Sequence, residues 1–264
     1  MLKTVFSKIL FEKRWTILLW FMASLVSIIG ISMIFPPIRD TMGSMMLGSV
    51  PESMKNWFGS AETWQTFAGF AGQEIYGQMS MLIVVMAIVF GAAFSAGDES
   101  DGTLLMVLSR PVGRASLFMQ KYAALIVMVS VVALTYFLGT VVGGWILGEP
   151  VPYWAFLQAS VMIWLLGLGL ATVTYAIGAA TGRRGVSGLI VGFYAFVAYF
   201  IASLSTATDI VDKLSYGSLF RYVAAPEVIA DGLNGGHILV FVVTIVVSLA
   251  VALPIFMRRD LKTR

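Results

Sequence analysis

Apolar residues run along this chain in six long stretches, separated by segments where charge, Gly and Pro collect. The stretches are residues 15–35, 75–95, 122–147, 154–180, 186–204 and 238–257. Each supplies the roughly 20 residues a helix needs to cross the hydrocarbon core of a bilayer. None holds Lys, Arg, Asp or Glu near its centre, where insertion would cost about 2.5–3.5 kcal/mol. A spanning segment must satisfy its own backbone hydrogen bonds. The pattern therefore predicts an all-α integral membrane protein with six transmembrane helices. Before the first span, Leu2, Val5, Phe6, Ile9 and Leu10 recur on one helical face, while Lys3, Lys8, Lys13 and Arg14 lie mostly off it. That predicts a short amphipathic helix in the membrane interface, serving as a topology anchor, a mechanical element, or both.

Composition agrees with the pattern and narrows it. Of the 264 residues, 59% are hydrophobic and 12% charged, against about a quarter charged in a soluble domain. The length fits one membrane domain, 1–264, with no room for a full soluble catalytic domain. The opening residues lack the short apolar core and small-residue cleavage site of a signal peptide. The net charge of +3 is not clustered as a nucleic-acid binder's would be, because the basic residues sit at span ends. All but four of the 17 basic residues fall on one side: the N-terminus, the second-to-third connection, the turn at Arg183 and Arg184, and the tail. The exceptions are Arg39, Lys55, Lys213 and Arg221, which share their side with most of the acids. The positive-inside bias then puts the basic side, with both termini, in the cytoplasm of a multi-pass plasma-membrane protein.

Two outside segments are long. Residues 36–74 carry Trp57, Phe58, Trp64, Phe67 and Phe70 among polar residues, and residues 205–236 carry Leu219, Phe220, Tyr222 and Val223. Short re-entrant or interfacial helices are expected in both, lying on the outer leaflet or acting as a ligand lid. Inside, residues 97–121 are the most informative: Asp98, Glu99 and Asp101, a turn-permitting Gly102, an apolar strip from Leu104 to Leu108, then Ser109 and Pro111 at a helix start. Such a strip either rests on lipid or fills a groove on a partner.

The excluded chemistry is equally informative. There is no Cys and one His, so thiolate and His-rich metal sites are absent. No GxxxxGK[ST] phosphate loop occurs, so nucleotide is not hydrolysed here by that route. No charge is buried mid-membrane, as proton- and sodium-coupled carriers usually require, which weakens a secondary-transporter reading without closing it, because backbone carbonyls can bind sodium. Gly185-Val186-Ser187-Gly188 together with His237 resembles the dyad of rhomboid intramembrane proteases. The predicted topology sets Ser187 and His237 about 30 Å apart, one bilayer core, against the roughly 3 Å a dyad needs. Small-residue spacings at Gly139/Gly143, Gly178/Gly182 and Gly188/Gly192 allow close helix approach. Tyr136, Tyr175, Tyr194 and Tyr199 either line a path or hydrogen-bond to neighbouring helices.

Three segments resemble the permease subunits of ABC-2-type ATP-binding-cassette exporters. Glu99, Gly102-Thr103-Leu104, Leu108-Ser109, Pro111-Val112, Arg114 and Lys121 are similar to that family's stretch between the second and third spans. Leu214-Ser215 to Gly232 is similar to its outer segment before the last span, although Tyr216-Gly217-Ser218 intervenes before Leu219-Phe220. Phe256-Met257-Arg258-Arg259-Asp260-Leu261 is close to its closing motif, and residues 51–58 look like a piece of its first outer loop. The resemblance implies a single permease domain that pairs with a second copy or a paralogue. Each permease would dock a separate cytosolic ATPase that holds ATP and Mg, leaving no cofactor on this chain. Residues 1–14 would be the connecting "elbow". Residues 97–121 would couple to the ATPase through Glu99, Gly102, Thr103, Leu104, Leu108, Ser109, Pro111 and Arg114. Family cargoes include lipids, drugs, antimicrobial peptides and surface glycans. The uncharged span interiors suit an amphiphilic or lipid-like cargo better than a small charged solute.

Overall fold

A computed structural model describes residues 4–45, 63–100, 102 and 113–259 of the chain. Every regular element among the described residues is helical. The chain opens with α1 (Val5–Ser32) and α2 (Phe35–Met45). A 3-10 turn (Thr63–Gln65) leads to α3 (Phe67–Phe70), a π-helical stretch (Ala71–Gly77), a second 3-10 turn (Gln78–Ser80) and α4 (Met81–Ser100). Three long helices follow: α5 (Arg114–Leu147), α6 (Tyr153–Thr181) and α7 (Arg184–Ser203). A short α8 (Asp209–Ser215), a 3-10 turn (Leu219–Tyr222) and α9 (Ala225–Asp231) precede the last helix, α10 (Gly235–Arg258). Six helical segments are long and apolar enough to cross a membrane: residues 5–41, 67–100, 114–147, 153–181, 184–203 and 235–258.

The six predicted spans are thus present, with two differences at their edges. The amphipathic segment over 2–14 was expected as a separate helix, but residues 5–32 form one unbroken helix. No Pro or Gly lies between Val5 and Ile29, so nothing interrupts the i→i−4 ladder where the basic turns meet the apolar span. The second crossing begins earlier than Ile75. Trp64, Phe67, Phe70, Ala71, Ile75 and Tyr76 are all buried within the bundle instead of lying on its outer surface. Phe35 holds them there, its ring 5.6 Å from Phe67 and 5.4 Å from Phe70. Trp57, Phe58 and the rest of 46–62 lie outside the described residues.

The core sits where α4, α5 and α6 meet, with α1 against α5, α7 against α4, and α10 against α6. Small residues set these approaches. A Cβ on Gly139 would stand 2.7 Å from Ile28, and one on Gly143 would stand 2.5 Å from Ser32, so both glycines of that pair seat α1 on α5. Gly188 and Gly192 have the same spacing and face open space or a 4.0 Å contact with Ala92. Their helix, α7, presents Leu189, Phe193 and Phe196 outward instead.

Of the four tyrosines, three bond through their hydroxyls to neighbouring segments, while Tyr199 lines a cavity. Tyr136 donates to Met79 O at 2.6 Å, Tyr175 to Phe118 O at 2.8 Å and Tyr194 to Gly217 O at 2.9 Å. Tyr76 Oη lies 3.1 Å from Ser160 Oγ and 3.2 Å from Phe156 O. Each hydroxyl thereby keeps a hydrogen-bond partner in an interior where water is scarce.

Candidate functional site

The described polar chemistry concentrates at the two ends of the bundle. At the end rich in basic residues, five of the six crossings are tied by side-chain contacts. The start of α1 is capped by Thr4, whose Oγ1 accepts from Ser7 N at 3.2 Å. The next orphan donors, Val5 N and Phe6 N, both donate to Gln120 Oε1 of α5, at 2.8 and 3.3 Å. Lys121, one residue further along α5, is buried and places Nζ 2.6 Å from Asp98 Oδ2 in the last turn of α4. The neighbouring Glu99 has a side chain only 5% exposed and accepts from Arg259 Nη2 just beyond α10.

Arg114 opens α5 and turns back to the same place. Its Nη1 donates to Met257 O at 3.2 Å and to Arg259 O at 2.9 Å. A guanidinium thereby meets carbonyls that the end of a helix leaves unpaired, at the negative end of its dipole. The notch that receives the Glu99–Arg259 pair is made by Gly182, the left-handed cap of α6 at φ 69°. A Cβ there would lie 2.5 Å from Glu99 Oε2 and closer still to the Arg259 guanidinium. Gly182 therefore satisfies two demands at once, a positive φ and an empty side-chain position.

Of the coupling residues expected from sequence, Glu99, Gly102 and Arg114 are described. Glu99 and Arg114 converge on Arg259, and Gly102 has the left-handed φ of 69° that its turn requires. Thr103, Leu104, Leu108, Ser109 and Pro111 lie outside the described residues. Sequence reasoning placed Arg259 and Asp98 in separate motifs and did not pair either with its partner. The available signal was that all these charges lie at span ends on one side, which limits the partners each can reach.

The opposite end is built differently. α9 docks on the π-helical stretch, where a Cβ on Gly72 would meet Ile229 at 3.1 Å and the Pro226 backbone at 3.3 Å. Ala224, at φ 39°, turns the chain into α9 and is the one described non-glycine residue at positive φ. Between these elements and the end of α7 lies a cavity of about 540 Å³, lined among others by Gln73, Gln78, Tyr199, Arg221, Glu227 and His237. Arg221 Nη1 donates to Asp212 Oδ1 at 2.5 Å and also reaches Ser215 Oγ. Partial burial works against its charge, but the Asp212 bond and charge outweigh burial and raise its pKa, so it stays cationic. Gln73 and Gln78 reach the cavity because the wide π turn breaks the regular helical spacing there.

Ser187 and His237 are not brought together. Ser187 Oγ donates to Arg184 O at the basic end, while His237 packs edge-on against Tyr222 at the other, ring centroids 5.4 Å apart. From His237 to Arg259 along α10 is about 33 Å at the α-helical rise. Among the described residues no group of three or more His, Asp or Glu side chains is placed to hold a metal ion.

The fold and its polar ends define a polytopic α-helical membrane protein. Over residues 11–261 the chain matches the sequence profile of the ABC-2 family transporter proteins. It belongs to that family, whose members are membrane subunits of transporters. A comparison with curated proteins gives no match to this chain.

Proposed function

We propose that this chain is the membrane-spanning subunit of an ATP-driven exporter, working as one of two paired permeases, each docked on a separate cytosolic ATPase. The observation that carries the reading is the basic-end junction. Glu99 in the last turn of α4 and Arg114 at the start of α5 flank the connection between these helices, and both are fastened to the end of the last span. A connection whose ends are fixed transmits a push, whereas one whose ends are free absorbs it. In the sequence of that connection, Leu104 and its apolar neighbours are the residues we assign to the ATPase groove, together with Gly102, Thr103, Leu108, Ser109 and Pro111. The basic end faces the cytoplasm, residues 1–14 act as the elbow, and ATP with Mg is held by the partner chain.

The cargo we infer is amphiphilic or lipid-like, such as a lipophilic drug or an antimicrobial peptide. Supporting this, the spans expose apolar side chains along α7 and α10 and carry no charge at mid-membrane. The test is purification of the chain from its native membrane. Co-purification of a nucleotide-hydrolysing chain, with hydrolysis stimulated by the permease, is the expected result. Leu104→Asp and Arg114→Glu should each cut the yield of that complex several-fold while membrane insertion is unchanged. Full complex yield in both variants would remove the coupling assignment. Reconstituted vesicles that move a sugar phosphate but no lipophilic dye would remove the cargo assignment.

A further inference from the structure

The end of α10 is held by more than its own packing. Along the span it is fastened on one face only: Phe241, Ala252 and Phe256 are buried and Ile245, Leu249 and Leu253 pack against the core, while Leu239, Val243, Val246, Val247 and Val251 are exposed. At Arg259 the situation changes. The guanidinium meets Glu99 at the end of α4, the carbonyl accepts from Arg114 at the start of α5, and the pair fills the notch at Gly182 at the end of α6. One residue thus touches the ends of three other crossings.

We propose that Arg259 is a positioning residue that delivers movement of the 100–113 segment to the last span. The inference rests on the reading of that segment as the ATPase contact. A buried ion pair is a poor way to add stability, since apolar replacements of similar volume are often as stable or more so. What the pair does supply is direction, because a guanidinium and a carboxylate lock in few geometries. Here the lock is half engaged. Glu99 Oε2 and Arg259 Nε are both buried without a hydrogen-bond partner, although a forked pairing would satisfy both. An unmet buried donor beside an unmet buried acceptor leaves room for a second, fully engaged arrangement. The gain from reaching it is what a push on Glu99 and Arg114 would draw on. α10, packed along one face and free along the other, would move as a rod.

The chain contains no cysteine, so paired spin labels can be placed at Pro150→Cys and Gly235→Cys, both exposed at the far end of the bundle. The distance is measured in the ATPase complex in lipid nanodiscs, with and without a non-hydrolysable ATP analogue. In the otherwise unaltered chain the nucleotide shifts the label distance. Arg259→Gln should reduce that shift by at least half while ATPase binding and hydrolysis stay within twofold. Arg259→Lys, which keeps the charge, should restore most of it. Gly182→Ala leaves both charges in place and pushes the pair out of its notch, so it should reduce the shift as well and carries the test if Arg259→Gln fails to fold. Undiminished shifts in Arg259→Gln and Gly182→Ala would overturn the proposal. A bound, active ATPase with no shift in the parent chain would overturn it too and leave the exporter reading standing. Failure to recruit any ATPase would overturn both.

Discussion

The fourth and last spans, α6 and α10, make opposite use of apolar sequence. α10 is the more apolar, with a mean hydropathy of 3.0 over its best window, yet only 11% of that window is buried. α6 reaches 1.9, and 72% of its window is buried. In water the order would be reversed, because apolar surface would be driven inward. Lipid removes that drive, since acyl chains are as apolar as Leu or Val. What then selects the inner helix is its capacity for close approach and hydrogen bonding. α6 brings Gly167 against Ile83, Thr172 against Tyr122 at 2.9 Å, and offers Trp164 Nε1 to Ser130 at 2.9 Å. α10 offers a stripe of Val and Leu that lipid solvates as well as protein does.

Substitutions can break or sharpen this contrast. The largest effect is expected at the inner bundle's charged edge. Lys121→Met removes the partner of Asp98 and should cost about 3 kcal/mol, at the low end for a broken buried pair because Asp98 is 31% exposed. Thermal unfolding in mild detergent would register it, and an unchanged midpoint would mean that water already serves Asp98. Next comes Gly91→Ala in α4. Its Cβ would stand 2.7 Å from Ala171 O, a backbone atom of α6 that cannot rotate away, so overpacking of about 1–3 kcal/mol is expected. The smallest effect is expected on the lipid side, where Val246→Leu in α10 should stay within about 0.5 kcal/mol. If Val246→Leu proved as costly as Gly91→Ala, the outer face of α10 would be a protein contact, and the contrast between the two helices would fail.

The sequence reading recovered the spans because bilayer thickness imposes a length that hydropathy reports directly. It recovered Gly139 and Gly143 as a helix contact for the same kind of reason: small residues four apart on a span leave a groove. The identical spacing at Gly188 and Gly192 makes no such contact among the described residues, because a groove says nothing about which helix fills it. The basic-end junction was legible only in pieces. Glu99 and Arg259 are 160 residues apart, and their meeting depends on α4, α6 and α10 being neighbours, which the apolar pattern does not order. The cavity at the other end was hidden further. It needs the π turn, the 3-10 turn at Leu219 and α9 to assemble, and each is too short to leave a periodic signal. The glycines at 69, 72 and 77 were the visible hint of irregular backbone. Ser187 and His237 illustrate the reverse: a motif match that the antiparallel run of the helices pulls apart.

The length of α5 carries a last consequence. Its 34 residues make a rod of about 51 Å, against a hydrocarbon layer of about 30 Å. The surplus must tilt or stand clear of the acyl chains. Arg114 and Lys121 mark the end where it stands clear, with Lys121 about 10 Å in from the tip. Thick lipid draws the ammonium and its carboxylate toward oil and favours holding them together, while thin lipid bathes them and loosens their grip. Where the headgroup layer falls along this rod thus decides how strongly the Lys121–Asp98 pair is held.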